Sequence, residues 1–306
     1  MEFVIETILV ILKMIYYWIK AIVMTFVPTS FQAKNIAGDL VLVTGAGSGI
    51  GRLLSIRFAQ HGCHLVLWDI NTRGNEETAD LLRHLGATVS AYTVDLSKKE
   101  QIYRAAQKVK EDVGEVDILV NNAGIVTGKK LLDCPDSLIQ KTMEVNTMAH
   151  FWTVKAFLPG MIERNHGHLV TVASGAGLIG VAGLADYCAS KFGAVGFDES
   201  LRFELEALGK DGIHTTVVCP YYISTGMFSG VKTRFPRLLP IVTPDYATDK
   251  IMSAILCNQN VLCIPHSLYI SLALKGFLPA KVGLILADFL GISHSMDEFT
   301  GRSKDE

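Results

Sequence analysis

The chain has few of the marks of a secreted, metal-binding or nucleic-acid-binding protein. No Asn-x-Ser/Thr sequon occurs in its 306 residues, which suits a cytosolic face. Six cysteines are scattered at positions 63, 134, 188, 219, 257 and 263, and none forms a Cys-x-x-Cys. Buried free thiols in a reducing compartment are therefore expected. His166 and His168 have no Cys/His cluster around them, so they read as turn and strand residues rather than metal ligands. A net charge of −2 and a pI near 6.5 leave no basic footprint for nucleic acid. There is no internal repeat, low-complexity linker or block of like charge.

What is present is a large apolar fraction, 49% of residues, enough to bury one α/β core. Short apolar runs with β-branched residues read as strands at 39–44, 64–69, 89–95, 116–120, 168–172, 214–218 and 261–264. Helical patterns alternate with them through residue 265. That alternation predicts one doubly wound parallel α/β sheet over 36–265 rather than two domains.

The first strand runs into Thr44-Gly45-Ala46-Gly47-Ser48-Gly49-Ile50-Gly51 and then a helical pattern. Strand, glycine turn and helix make a dinucleotide-binding unit: the glycines permit a tight turn and close backbone approach, and the helix N-terminus offers N–H groups and positive dipole to a pyrophosphate. The second strand ends at Asp69, roughly 20 residues on, where a carboxylate accepts hydrogen bonds from ribose hydroxyls of NAD and repels the 2′-phosphate of NADP. NAD is thus preferred, with Arg73 as the one nearby counter-signal and a strand-end cap as the alternative role for Asp69.

Tyr187 and Lys191 stand four residues apart in Asp186-Tyr-Cys-Ala-Ser-Lys191. On a helix that spacing puts the ammonium one turn from the phenol. A neighbouring cation favours the phenolate, suiting the tyrosine to exchange a proton with an alcohol or carbonyl. The pair is weak alone and strong beside a dinucleotide motif.

These motifs resemble the short-chain dehydrogenase/reductases over roughly residues 36–265. Thr44, Gly45, Gly49 and Gly51 match that family's TGxxxGxG, Asp95 its adenine-contacting acid, and Asn121-Asn122-Ala123-Gly124 its NNAG. Asn146, Ser174, Tyr187 and Lys191 match its catalytic tetrad; Pro220 and Thr225 match the segment that holds the nicotinamide carboxamide. The resemblance implies a Rossmann fold and a nicotinamide-binding set of Gly45, Ser48, Gly49, Ile50, Gly51, Asp69, Asp95, Asn122, Ala123, Gly124, Tyr187, Lys191, Pro220 and Thr225, with no metal. It further implies Tyr187 as general base, Ser174 as stabiliser of the substrate oxygen, Lys191 on Tyr187 and the ribose, and Asn146 holding a relay water. A homodimer through helices 141–160 and 187–208 is implied too.

Leu67-Trp-Asp-Ile-Asn71, Ala149-His-Phe-Trp-Thr153 and Gly183 to Phe192 resemble the membrane-associated branch of retinol and 17β-hydroxysteroid dehydrogenases. The implied substrate is a lipophilic alcohol, a retinoid or alternatively a steroid, and the implied location is the endoplasmic reticulum membrane with a cytosol-facing catalytic domain, or lipid droplets. Gly175 departs from the second serine common among related chains. A non-catalytic membrane or lipid-droplet scaffold with a retained NAD-binding core is the alternative from another class, and intact Ser174, Tyr187 and Lys191 argue against it.

The two ends differ from the middle. Residues 3–27 are apolar and aromatic, interrupted only by Glu6, Lys13 and Lys20, and fit an uncleaved membrane anchor over residues 1–30, spanning or interfacial, rather than a signal peptide. Residues 266–306 form apolar helical patterns that suit a pocket wall, a dimer contact or a bilayer surface. Residues 224–246 read as the substrate-covering loop, with Met227, Phe228 and Phe235 as apolar lining.

Overall fold

The computed structural model describes residues 1–301 and divides the chain into two units, Met1–Asn35 and Ile36–Glu306. The first unit is helix α1 (Glu2–Phe26) and a short turn of helix, α2 (Thr29–Gln32). No side chain of α1 is buried. At 1.5 Å per residue it rises roughly 37 Å, more than the hydrocarbon core of a bilayer. Among the described residues it is the one helix long and apolar enough to cross a membrane.

The second unit alternates strand and helix. Its elements are β1 (Leu40–Thr44), α3 (Gly49–Gln60), β2 (His64–Asp69), α4 (Thr72–His84), β3 (Val89–Thr93), α5 (Lys99–Asp112) and β4 (Ile118–Asn121). There follow α6 (Asp136–Met143), α7 (Ala149–Arg164), β5 (Gly167–Val172), α8 (Ala185–Ala207), β6 (Ile213–Pro220), α9 (Pro244–Leu256) and β7 (Val261–Ile264). Helices α10 (Ser267–Phe277) and α11 (Ala280–Phe289) come after the sheet has ended.

All seven strands are parallel, in the order β3-β2-β1-β4-β5-β6-β7. Alternate residues of each strand serve opposite faces. Val41, Val43, Leu65 and Leu67 pack under Leu54 and Phe58 of α3, Leu82 of α4 and Ile251 and Ile255 of α9. Leu42, Val66 and Trp68 pack under Ile102 of α5, Phe157 and Met161 of α7 and Leu205 of α8. Helices on both faces bury both faces, which is why the strands read as continuous apolar runs. The winding reverses between β1 and β4, opening a crevice at their carboxyl ends, the place where such sheets bind ligands. The third strand is shorter than expected: it stops at Thr93, and Asp95 lies in the loop beyond.

The carboxy-terminal segment returns to this crevice. The Thr300 N–H donates to Ser229 O at 3.0 Å and Lys232 pairs with Glu298 at 2.6 Å.

Candidate active site

The glycine loop is shaped by contacts that admit no side chain. Gly45 and Gly49 have φ of +66° and +53°, the region glycine enters without strain. A Cβ on Gly51 would fall 2.0 Å from Gly45 O, and one on Gly45 2.9 Å from Ala123 Cα. Asn122 braces the loop: its Nδ2 donates to Thr44 O at 2.9 Å, while its N–H donates to Thr44 Oγ1 at 3.0 Å. The Asn122 side chain therefore holds the loop in shape. Arg52 adds a second brace, its guanidinium donating to Gly47 O at 2.6 Å and Gly74 O at 3.1 Å.

Asp69, closing β2, accepts from the Gly47 N–H at 2.8 Å with one carboxylate oxygen and from the Asn71 N–H at 2.8 Å with the other. Each oxygen keeps acceptor capacity toward the crevice. Asp95 is held by Ser97, whose N–H and hydroxyl donate to Oδ1 at 3.0 and 2.7 Å. Thr225 leans over the start of α3, its Cβ 3.6 Å from where a Gly49 side chain would begin.

These groups line one cleft of about 330 Å³ running to Ser174, Tyr187 and Lys191. Ser48, Ile50, Ala123, Gly124 and Pro220 line it too. Gly51 and Asn146 lie behind the wall. An elongated dinucleotide fits this cleft: left-handed glycines lie beside a helix N-terminus at one end, and polar side chains lie at the other.

Ser174 follows β5, where its Oγ accepts from the Ala176 N–H at 3.1 Å and its hydroxyl hydrogen-bonds Tyr187. Tyr187 is 4% exposed. One turn along α8, the Lys191 ammonium donates to Val172 O at 2.8 Å and sits 5.7 Å from the Tyr187 ring centre. Burial dominates both groups. It pushes the Tyr187 phenol above its ordinary range, partly offset by the Ser174 hydrogen bond. It pulls Lys191 down to about 8. The depression of Tyr187 expected from a neighbouring cation is thus not the net result: burial sets the direction, and what lowering there is comes from Ser174.

Asn146 sits in a π turn, Glu144–Met148, between α6 and α7. Its Nδ2 donates to Ile125 O at 2.8 Å and Ser190 Oγ at 3.0 Å, and its Oδ1 accepts from the Ile125 N–H at 2.8 Å. A side chain on Gly124 would begin 3.4 Å from Asn146 Oδ1 and 3.5 Å from Lys191 Nζ, so both groups border one small space. His150, one turn beyond Asn146, is fully enclosed with neither ring nitrogen meeting a protein partner. Burial holds it neutral, at about 3.

A narrow apolar pocket adjoins Ser174 and Tyr187, walled by Gly175, Tyr222, Phe228, Leu239, Leu268 and Ile292. A Cβ on Gly175 would press to 3.3 Å of Leu268 Cδ1, so glycine makes room there. Met227 and Phe228 border the cleft as expected, the Phe228 ring 5.7 Å from that of Tyr187. Phe235 does not: it pairs with Phe289 at 5.2 Å at the root of α11. Of the three roles open to residues 266–306, the pocket wall is the one the tail takes here, through residues that no local pattern singled out. Ser295 hydrogen-bonds Tyr222 at 2.9 Å, Met296 packs beside Tyr187, and Phe299 lies against Gly128 and Phe228.

Residues 39–234 match the short chain dehydrogenase model. The chain belongs to the short-chain dehydrogenase family. It is an oxidoreductase of that family by fold, motif order and kinship. It is 55% identical to epidermal retinol dehydrogenase 2 of Homo sapiens, over 95% of this chain and 94% of that one. With retinol dehydrogenase 10 of Rattus norvegicus it shares 46% identity over 99% and 96% of the two chains. A Burkholderia phymatum short-chain dehydrogenase solved with NAD superposes with a TM-score of 0.72 at 26% identity, over 80% of this chain and 95% of that one. One from Sphingobium yanoikuyae, in complex with NADPH, gives 0.69 at 26%, over 81% and 95%. The short-chain dehydrogenase fold thus accommodates either nicotinamide dinucleotide.

Proposed function

We propose that this short-chain dehydrogenase is membrane-anchored through residues 1–30 and oxidises a lipophilic alcohol with NAD, all-trans-retinol to retinal being the leading reaction. The observation that carries the reading is the meeting of Ser174, Tyr187 and Lys191 where the dinucleotide cleft opens into an apolar pocket. Kinship to retinol dehydrogenases supports the retinoid; a steroid alcohol would use the same machinery.

Ser174 donates to the substrate oxygen and steadies the charge that grows on it. Tyr187 takes the hydroxyl proton as general base, returning it in the reverse reaction. Lys191, fixed by Val172 O, stabilises the tyrosinate and faces the site of the nicotinamide ribose. Asn146 and Lys191 border the space through which the proton leaves. A bound nicotinamide supplies the hydride acceptor. Asp69 would accept from the adenosine ribose hydroxyls and repel a 2′-phosphate. Arg73, 90% exposed, is tied to Glu77 at 3.0 Å, which supports NAD over NADP. Asp95, Thr225 and the NNAG turn would complete the cofactor cradle. The endoplasmic reticulum membrane, a cytosol-facing catalytic domain and a homodimer through α7 and α8 belong to the same reading, and exposed Phe151 and Phe203 on those helices support the dimer.

Membranes containing the chain, given all-trans-retinol with NAD or NADP, test it, with Tyr187→Phe membranes as the blank. Retinal formed with NAD and absent in the variant is the expected result. Folded, NAD-binding protein that makes no retinal would end the retinol assignment and bring steroid alcohols forward.

A further inference from the structure

Helices α10 and α11 form an apolar hairpin that the rest of the second unit does not cover. Leu268 points inward and is 5% exposed, but Ile270, Phe277, Leu284, Ile285 and Phe289 are 64, 87, 64, 60 and 55% exposed. Leu284, Ile285 and Leu286 are consecutive, and at about 100° per residue they point in three different directions. A helix apolar all round is normally buried in a core or in lipid. A protein partner laid against α11 would cover one side; a hydrocarbon solvent covers all of them.

The charges fit the same surroundings. Arg234 and Arg237 lie at the hairpin's root, bordering a groove with Phe289 and Leu290. Lys281 follows the turn, Lys275 folds back to donate to Leu178 O at 2.8 Å, and Asp288 is the single acid of the two helices. The excess is basic, as anionic headgroups favour. At ten and eleven residues, each helix rises about 15 Å, too little to span a bilayer.

We propose that the α10–α11 hairpin is a monotopic lipid-docking element, immersed in one leaflet, and that it brings the apolar pocket to the membrane surface. The pocket side supports this. Leu268 and Ser271 of α10 form part of the pocket wall while Ile270 and Leu274 of the same helix face out. Leu239 lines the pocket while its neighbour Leu238 is half exposed beside the hairpin root. One layer of side chains separates lipid from the substrate site, so a lipid-dissolved alcohol reaches Tyr187 without crossing water. This last step rests on the lipophilic-alcohol reading; the docking itself does not.

The test places single spin labels at Leu284→Cys and Ile270→Cys in the full-length chain, reconstituted in phosphatidylcholine/phosphatidylserine vesicles. Leu85→Cys, at the exposed end of α4, is the aqueous control. The chain without an introduced cysteine gives the background. Both hairpin labels should collide readily with oxygen and poorly with a water-soluble nickel complex, at depths of about 5–10 Å below the phosphates. Nickel access matching that at Leu85 would overturn the proposal. So would shielding from both reagents with spin–spin broadening, which would mean a second copy covers the hairpin.

A second arm combines Leu284→Asp with Ile285→Asp. KM for retinol delivered in vesicles should rise at least about fivefold with kcat unchanged, while a short water-soluble alcohol is turned over as before. The depth measurement needs no turnover, so it separates failure of docking from failure of the substrate assignment.

Discussion

Lys191 is 3% exposed, and its ammonium has one protein acceptor, Val172 O. Its folded pKa of about 8 lies below the ordinary 10.5. Between those values the unfolded chain holds a proton that the folded chain has lost, so stability should rise with pH there. Below pH 8 the whole cost of burying the cation is present, at most about 3 kcal/mol. Tyrosines that stay neutral when folded oppose the trend above pH 10, which confines the window to about 8–10. Lys191→Met should therefore melt above the parent at pH 7, the gap closing by pH 10, as read by thermal unfolding of the cofactor-free protein. Tyr187→Phe is the complementary case. It removes one hydroxyl and should lower turnover by about 10²- to 10⁴-fold, with nucleotide affinity kept within a few-fold in a fluorescence titration. The spacing of Ser174, Tyr187 and Lys191 made these residues legible from sequence. The burial that sets their acidities was not, since it depends on β5, α8 and the tail meeting.

Among the elements, the strand–glycine–helix unit was the most legible, because local sterics write it: only glycine tolerates the turn that Thr44 to Gly51 makes. Gly51→Ala puts a Cβ into Gly45 O, and overpacking of this kind costs about 1–3 kcal/mol. The expected outcome is a Tm lower by about 3–10 °C and nucleotide binding weakened at least about tenfold, measured by calorimetry and titration. The second strand coincides with its apolar run residue for residue, whereas the third stops two residues before the end of its run, since nothing in Tyr92-Thr-Val-Asp95 marks where pairing with β2 stops. The π turn at Asn146 was invisible. It exists because the amide of Asn146 is pinned to Ile125 and Ser190, residues 21 and 44 positions away.

The molecule as a whole decides how the pocket is closed. Residues 292–300 fold across the 226–232 loop, and a Cβ on Gly230 would fall 2.0 Å from Glu298 O, so the fit is close. None of the cleft-lining cofactor candidates lies in this segment. A chain ending at Gly291 should therefore bind dinucleotide as before, while KM for the lipophilic alcohol changes several-fold and selectivity between retinoid and steroid alcohols relaxes. Parallel kinetics on both substrates would show it. Unchanged kinetics would mean that the tail only covers the site. Residues 302–306, the end of the expected 266–306 extension, lie outside the described residues.

By itself the sequence determined the doubly wound sheet, the glycine turn, the acid at the end of β2 and the Ser174, Tyr187 and Lys191 set. Each of these is local or periodic: a strand run, a turn only glycine can make, or a one-turn spacing on a helix. Tertiary structure alone decided that Phe235 leaves the pocket for Phe289, that Asn122 braces the glycine loop, that Met296 arrives beside Tyr187, and that Phe299 lies against Gly128 and Phe228. Those contacts join segments up to about 170 residues apart, and such pairings follow from how helices and tail pack on the sheet, which no local pattern encodes.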